Sequence, residues 1–252
     1  MNDRPRVLIL GGTGDGRALA TEVAGRCTIT YSLAGRTRDP VLPDAVEMRT
    51  GGFGGAKALA GWIVENHIAA VVDATHPFAS QIATHAEQAA TQTGTPRLKL
   101  VRPAWDETAG DAWRRVTNIA AAVSLLPSVG RNAFLSIGRQ KVAAFAGLDG
   151  VRLLIRSIDP PEGAYQLANA TYIIGRGPFT KSQESALLRE HDIDVVVSKN
   201  AGGAATYPKI AAARQAGIPV IMIDRPLPPG DPVVSDVGAA VSWLEKTLGQ
   251  PG

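Results

Sequence analysis

The chain has 252 residues, of which 45% are hydrophobic, and its 26 basic and 23 acidic side chains give a formal net charge of +3. This length and apolar content can build a substantial hydrophobic core and exclude a mainly disordered chain. The nearly balanced charge and the low aromatic content, 5%, argue against a nucleic-acid-binding surface.

Cysteine content and apolar runs exclude further classes. The lone Cys27 has no cysteine to pair with, and no Cys/His cluster has the spacing of a zinc site. No apolar run approaches the ~18 residues that span a bilayer, and the N-terminal apolar run is too short for an export signal. We therefore expect a cytoplasmic protein that binds no metal, membrane or nucleic acid.

The first hundred residues alternate short apolar runs with Ala-rich stretches of helical length, a pattern typical of a parallel sheet covered by helices. Strands are predicted near residues 6–10, 27–33, 45–48, 69–73 and 97–101. Helices are predicted near residues 14–24, 56–66 and 78–93. This half is predicted to form one doubly wound domain, residues 1–102.

The second half repeats the pattern after a crossing segment with Pro103 and Gly110. Strands are predicted near residues 133–136, 151–156, 172–174, 195–198 and 220–224. The amphipathic helix predicted at 237–248 could dock on either domain. The fold class predicted is α/β, with two Rossmann-like doubly wound parallel-sheet domains, 1–102 and 103–252, and a cleft between them.

A glycine-rich turn follows the first strand and opens the first helix. Its sequence GGTGDGR spans residues 11–17, where helix N–H groups and the helix dipole can hold a pyrophosphate. It departs from G-x-G-x-x-G, because Arg17 stands at the third glycine position and Gly16 precedes it. A tight turn without a ligand is the alternative. The candidate cofactor residues are Gly12, Thr13, Gly14, Asp15, Gly16 and Arg17.

The end of the second strand lacks the acidic residue that holds the ribose of NAD. It carries Arg36, Thr37 and Arg38 instead, and two guanidinium groups beside a hydroxyl suit a 2′-phosphate. These residues favour NADPH over NADH, with a solvated basic loop as the alternative.

Two further loops of the first half are candidates. The GGFGG segment, with Gly52, Phe53 and Gly54, is costly in flexibility unless the backbone approaches a ligand. After the fourth strand come Thr75 and His76, with Pro77 predicted at the first helical position. His76 could orient the nicotinamide or the substrate, or it could simply cap or pack against the helix.

Cationic and glycine-rich segments follow three strands of the second half, and all should meet at one sheet edge. Together they would suit a polyanionic substrate, although each cation alone could be a surface charge. The candidate substrate residues are Arg139, Gln140, Arg176, Phe179, Lys199, Asn200, Gly202 and Gly203.

The segments GGTGDGR, SLAGRT, GGFGG, DATHPFA, GRGPF and SKNAGG occur in this order along the chain. In order and spacing they resemble the precorrin-6A reductase family of cobalamin biosynthesis. The resemblance spans nearly the whole chain, and DATHPFA and SKNAGG are its most specific segments.

The resemblance implies an NADPH-dependent reduction of one double bond of the precorrin-6A macrocycle to precorrin-6B, without flavin or metal in the reductase. The carboxylates of that anionic tetrapyrrole would explain the cations of the second half, and neighbouring pathway enzymes could channel the substrate. Lys199, His76 or water could donate the proton, so Lys199 and His76 are the catalytic candidates. The alternatives are a non-catalytic NADP-sensing module and a reductase of another anionic small molecule.

Overall fold

The computed structural model describes residues 4–35, 46–160, 163 and 167–249. The chain divides into two compact units, each built on a sheet of six strands. The first unit takes the chain up to Pro103 and resumes at Pro226, and the second runs from Ala104 to Arg225. Elements are numbered along the whole chain.

All neighbouring strands of the first sheet are parallel, in the order β12-β5-β4-β1-β2-β3. These strands are β1 (Arg6–Leu10), β2 (Thr28–Leu33), β3 (Glu47–Thr50), β4 (Ile68–Asp73), β5 (Arg97–Leu100) and β12 (Val233–Val234). The helices of this unit are α1 (Gly14–Glu22), α2 (Ala56–Glu65), α3 (Ser80–Thr93) and α7 (Val237–Leu248).

Helices cover both faces of this sheet because strand β1 has apolar side chains on both of its faces. Its successive side chains point to opposite faces, and both sets are apolar. Val7 and Ile9 belong to a core cluster with residues of α1 and α7. Leu8 and Leu10 belong to another cluster, with residues of α2 and α3. Burial on both faces is typical of a parallel sheet between two helical layers.

The second sheet has the same winding, with the order β6-β11-β10-β7-β8-β9 and only parallel pairs. Its strands are β6 (Trp113–Val116), β7 (Asn132–Ser136), β8 (Arg152–Ser157), β9 (Ala170–Ile174), β10 (Val195–Lys199) and β11 (Val220–Ile223). Its helices are α4 (Ile119–Val129), a 3-10 helix (Arg139–Phe145), α5 (Lys181–Glu190) and α6 (Pro208–Ala216).

The α/β class and the two parallel Rossmann-like sheets predicted from sequence are confirmed, but each sheet has one strand more than predicted. Strand β6 was not predicted because only Trp113 of its four residues is buried. Strand β12 has two residues, too few for a periodic signal. Among the described residues no helix is both long and apolar enough to cross a membrane.

The C-terminal segment corrects the predicted domain range 103–252. It returns to the first unit, where β12 pairs with β5. The predicted helix at 237–248 is present as α7, and Ala240 and Leu244 enter the same core cluster as Leu19 of α1. Its apolar face is thereby covered by the first sheet. The cleft between the domains stays a prediction.

Candidate functional site

The two sheets each have a switch point, where neighbouring strands lead to connections running in opposite directions. In the first sheet it lies between β1 and β4, and in the second between β7 and β10. Ligands of open α/β sheets bind beside the carboxyl ends of the strands at such points. The loops that follow these four strands are therefore the candidate ligand-binding positions.

At the first switch point, Thr13 joins the two loops. Its hydroxyl donates to the Ala74 carbonyl oxygen at 2.7 Å and accepts from Gly16 N at 3.1 Å, so the residue also caps α1. Thr13 and Ala74 are both buried. The glycine turn and the loop after β4 consequently hold a fixed separation.

The glycines of the turn have different physical roles. A Cβ at Gly11 would lie 2.2 Å from the buried Tyr31 ring, so only glycine fits there. Gly12 has φ +108°, and a Cβ there would have no described residue other than its two chain neighbours within 4 Å. Its amide donates to the Tyr31 hydroxyl at 3.3 Å, and the missing side chain leaves room for a ligand at the N-terminus of α1, where helix amides lack intrahelical partners. This cradle fits the pyrophosphate of a dinucleotide.

Gly16 explains the departure from the usual glycine spacing. A Cβ on Gly16 would lie 3.1 Å from Ala74 Cβ and 3.3 Å from the Tyr31 hydroxyl. Gly16 therefore allows the close helix–strand packing that the third glycine normally provides. Arg17, one position later, is half-buried. Asp15, in the first turn, pairs with Arg102 at 3.2 Å.

A buried ion pair that the sequence analysis missed lies under the loop after β4. Lys99 Nζ donates to Asp73 Oδ1 at 2.9 Å, to the Thr75 carbonyl at 3.1 Å and to Thr75 Oγ1 at 3.2 Å. Thr75 returns two hydrogen bonds to Asp73 Oδ1, from its hydroxyl at 2.6 Å and its amide at 3.0 Å. Burial lowers the pKa of Lys99, whereas Asp73 opposes that shift. The pair fixes Thr75 at the end of β4.

The predicted helix start at Pro77 is wrong, because α3 begins at Ser80. His76 instead makes a turn: its carbonyl accepts from Ala79 N at 2.8 Å and its Nδ1 accepts from Phe78 N at 3.2 Å. These bonds occupy the amides that would have opened the helix. Because Nδ1 is an acceptor, a neutral His76 carries its proton on Nε2 and can donate from there.

The GGFGG segment is held by Arg49, another residue that the sequence analysis missed. Its guanidinium donates to the carbonyls of Gly51 at 2.7 Å and Gly52 at 3.0 Å. It also lies 3.6 Å from the centre of the Phe53 ring, which packs edge-on against Trp62. Arg49 stands opposite Ser32 of β2, so the loop lies beside the end of β2. The candidates Arg36, Thr37 and Arg38 lie outside the described residues.

At the second switch point, β7 and β10 place Arg139 and Lys199 at neighbouring strand ends. Arg139 begins the 3-10 helix after Gly138, and Lys199 is the last residue of β10. Gln140 is exposed. Burial, with the charge of Lys141 as a second cause, lowers the pKa of Lys199 from 10.5 to about 8. Arg176 lies farther along the edge, after the outer strand β9.

Both polar atoms of the Asn200 side chain form hydrogen bonds within the protein. It is 2% exposed, and its amide accepts from Trp105 N at 2.8 Å and donates to the Trp105 carbonyl at 2.9 Å. The Trp105 indole donates to the Gly203 carbonyl at 2.8 Å. Gly202 and Gly203 both have positive φ, +70° and +75°. Trp105 therefore holds the SKNAGG loop from a segment that sequence alone did not connect with it.

Lys209 is a buried cation beneath the same loop. Its Nζ donates to the Thr206 carbonyl at 2.9 Å and lies 4.9 Å from the Trp105 ring centre. Burial lowers its pKa from 10.5 to about 7, with Glu184 opposing and Arg156 adding to the shift. Between those pH values the folded chain has released this proton and the unfolded chain keeps it.

This difference predicts a pH-dependent stability. Because the unfolded state binds more protons, the free energy of unfolding should rise by about 1.4 kcal/mol per pH unit above pH 7 through Lys209. That contribution is full above pH 10.5 and is lost as the pH falls to about 7. Urea unfolding of wild type and Lys209→Met at pH 7.5 to 9.5 (roughly the steepest range) measures it. Lys209→Met should have a slope lower than wild type by about 1.4 kcal/mol per pH unit, with a slope from Lys199 remaining above about pH 8, and the exposed-site control Lys246→Met should keep the wild-type slope. Equal slopes in all three proteins would contradict the assignment.

The topology and the glycine turn define the class of the first unit as a Rossmann-type nucleotide-binding fold. The family described as precorrin-6x reductase CbiJ/CobK matches residues 6–245. The chain belongs to the precorrin-6x reductase family. It is thus an oxidoreductase of cobalamin biosynthesis that acts on a CH–CH group.

Individual relatives agree over nearly the whole chain. The chain is 49% identical to a precorrin-6A reductase of Rhodococcus erythropolis, with 95% of this chain and 97% of the relative covered. It is 28% identical to a cobalt-precorrin-6A reductase of Salmonella typhimurium, with 96% of each covered. A solved structure, CobK precorrin-6A reductase, is 40% identical with a TM-score of 0.90, covering 96% of this chain and 97% of that one.

Proposed function

We propose that the chain reduces one double bond of metal-free precorrin-6A with NADPH and releases precorrin-6B. The observation that carries the cofactor assignment is the open backbone at Gly12, fixed to the loop after β4 through Thr13. The choice of the metal-free macrocycle is supported by the relatives, because one named precorrin-6A reductase is 49% identical and one named cobalt-precorrin-6A reductase is 28% identical. Channelling to other enzymes and a cytoplasmic location are further predictions.

In this proposal the first unit holds the cofactor. The turn residues from Gly12 to Arg17 receive the pyrophosphate at the N-terminus of α1. The GGFGG segment, with Gly52, Phe53 and Gly54, lies beside the end of β2 and borders the adenosine half. Thr75 and His76 border the nicotinamide half. NADPH, when bound, supplies the hydride.

The second unit is proposed to hold the substrate. Arg139, Gln140 and Arg176 bind carboxylates, and the loop with Gly202 and Gly203 approaches the ring. Lys199 is the proposed proton donor, since a pKa of about 8 keeps it protonated at neutral pH while making it a far better acid than an ordinary lysine. His76 contributes a hydrogen bond from Nε2. Phe179 and Asn200 support the substrate loops.

The proposal is tested by incubating the purified chain with NADPH and precorrin-6A and analysing the macrocycle by mass spectrometry. The proposed reaction gives a product heavier by two hydrogens. Recovery of unchanged macrocycle while NADPH still binds would favour the sensing module or another substrate.

The cofactor preference gives a separate prediction. Replacing Arg36 and Arg38 together with alanine should raise the KM for NADPH on the order of 10- to 100-fold, because two charge-assisted contacts to a 2′-phosphate contribute about 1.5–3 kcal/mol each before screening and solvent screening reduces their sum to about half or less. The KM for NADH should change little. Steady-state assays with both cofactors measure the ratio, and Arg26→Ala, a surface arginine of the same unit, is the control. An unchanged NADPH/NADH preference would reject the assignment.

A further inference from the structure

A second buried ion pair lies in the second unit, near Lys209 and in contact with the Phe179 ring. Arg156 of β8 and Glu184 of α5 form a bidentate pair, with Nη1 to Oε2 at 3.1 Å and Nη2 to Oε1 at 2.8 Å. Their side chains are 8% and 0% exposed. The two parallel hydrogen bonds fix the plane of the guanidinium.

That plane supports the aromatic ring of the GRGPF segment. The centre of the Phe179 ring lies 3.8 Å from Arg156 Cζ, and the Phe134 ring centre lies 4.9 Å from it. The cation therefore contacts two aromatic rings in a dry environment, where such contacts are strongest.

The loop folds closely around the Phe179 ring. A Cβ at Gly175 would lie 3.3 Å from the ring, and one at Gly177 would lie 3.4 Å from it. A Cβ at Gly175 would be slightly too close to the ring and one at Gly177 would just touch it, so the backbone on both sides of Arg176 lies against the Phe179 ring. The Phe179 ring thus sets the path of the backbone that carries the exposed Arg176.

We propose that Arg156 and Glu184 are positioning residues that act through Phe179 to hold the segment Gly175–Phe179 in place for an anionic substrate. The inference rests on the proposed function and adds two residues that its substrate site requires. Stability alone is a weak reason for such a pair, because well-packed apolar residues often replace buried ion pairs without loss. Apolar residues could not replace the pair in this role, however. A planar guanidinium stacks on an aromatic ring and is held in one orientation by a bidentate carboxylate.

The test compares Glu184→Gln, which keeps the side-chain shape but removes the bidentate partner, with Glu190→Gln on the exposed end of the same helix. Because small misplacements of binding groups have large effects, the KM for precorrin-6A should rise on the order of 10- to 100-fold in Glu184→Gln. The dissociation constant for NADPH and all constants of Glu190→Gln should stay at wild-type values. Because Glu184→Gln leaves the buried Arg156 without its carboxylate, amide hydrogen exchange should accelerate throughout the second unit, and residues 175–180 should show an additional acceleration beyond that of β7 and β10.

A merely structural role predicts the general acceleration of exchange without an additional effect at residues 175–180 and without a selective rise in that KM, and this would overturn the inference. If Glu184→Gln does not fold, Phe179→Leu gives the same readouts with the ion pair intact. Its KM should rise equally, and an unchanged KM would overturn the inference. A wild-type chain that binds NADPH but leaves the macrocycle unreduced overturns the proposed function itself, and the inference with it.

Discussion

Replacing Lys99 with methionine is expected to lower the free energy of unfolding of the first unit by about 3–5 kcal/mol, because it leaves a buried carboxylate without its cation. Asp73 is fully buried, and Lys99 is its only cationic hydrogen-bond partner within the described part of the chain. The Thr75 carbonyl and hydroxyl would lose a donor at the same time.

Native-state hydrogen exchange of the β1 and β4 amides measures this loss, since it reports on the first unit even if the two units unfold separately. The matched control is Lys57→Met, at an exposed position of α2, which should change stability by less than about 0.5 kcal/mol. The double variant Asp73→Val/Lys99→Met should recover part of the loss, because it removes the buried carboxylate together with its cation. A loss below about 1 kcal/mol in Lys99→Met would mean that the pair does not hold the end of β4.

Replacing Lys199 is expected to have the largest effect on turnover. If this amine donates the proton, Lys199→Met should slow single-turnover reduction about 10²- to 10⁴-fold, the range typical of general acids. Lys199→Arg keeps a positive charge but cannot donate a proton near neutral pH. It should therefore keep much of the substrate affinity and lose the rate.

Stopped-flow single turnovers of both variants, with Lys246→Met as a surface control, separate proton donation from binding. The wild-type rate should also fall as the pH rises through about 8, where Lys199 loses its proton. Because Lys141 contributes to the low pKa, Lys141→Met should move this midpoint to higher pH. Normal single turnover in Lys199→Met would assign the proton to His76 or water.

The sequence was sufficient for the strands and helices that have a strong apolar period. Strand β1 was predicted with its observed bounds because four apolar residues stand between charged and glycine-rich segments. Helix α7 was predicted with its observed bounds because its apolar residues recur at helical spacing. Its docking on the first unit could not be predicted, since it depends on which of the two sheets has a face that other helices leave uncovered.

The residues that support the candidate site could not be predicted from the sequence, for a different reason. Lys99 and Asp73 are 26 positions apart, and Arg156 and Glu184 are 28 apart. No short sequence motif contains both partners of either pair, so the pairing could not be predicted. A charged residue inside a buried strand, such as the lysine of RLKL, does indicate that a buried partner of opposite charge exists. The turn at His76 was missed because Pro after it favours a helix start, whereas the side-chain hydrogen bond to Phe78 N favours a turn.

The proposed reaction requires that oxidation of NADPH and reduction of the macrocycle occur together. Purified protein is mixed with NADPH and precorrin-6A, and the absorbance of the reduced nicotinamide is followed together with the spectrum of the macrocycle. We expect coupled changes, with one NADPH oxidised for each macrocycle reduced. NADPH binding without oxidation, or oxidation without any change in the macrocycle spectrum, would contradict it.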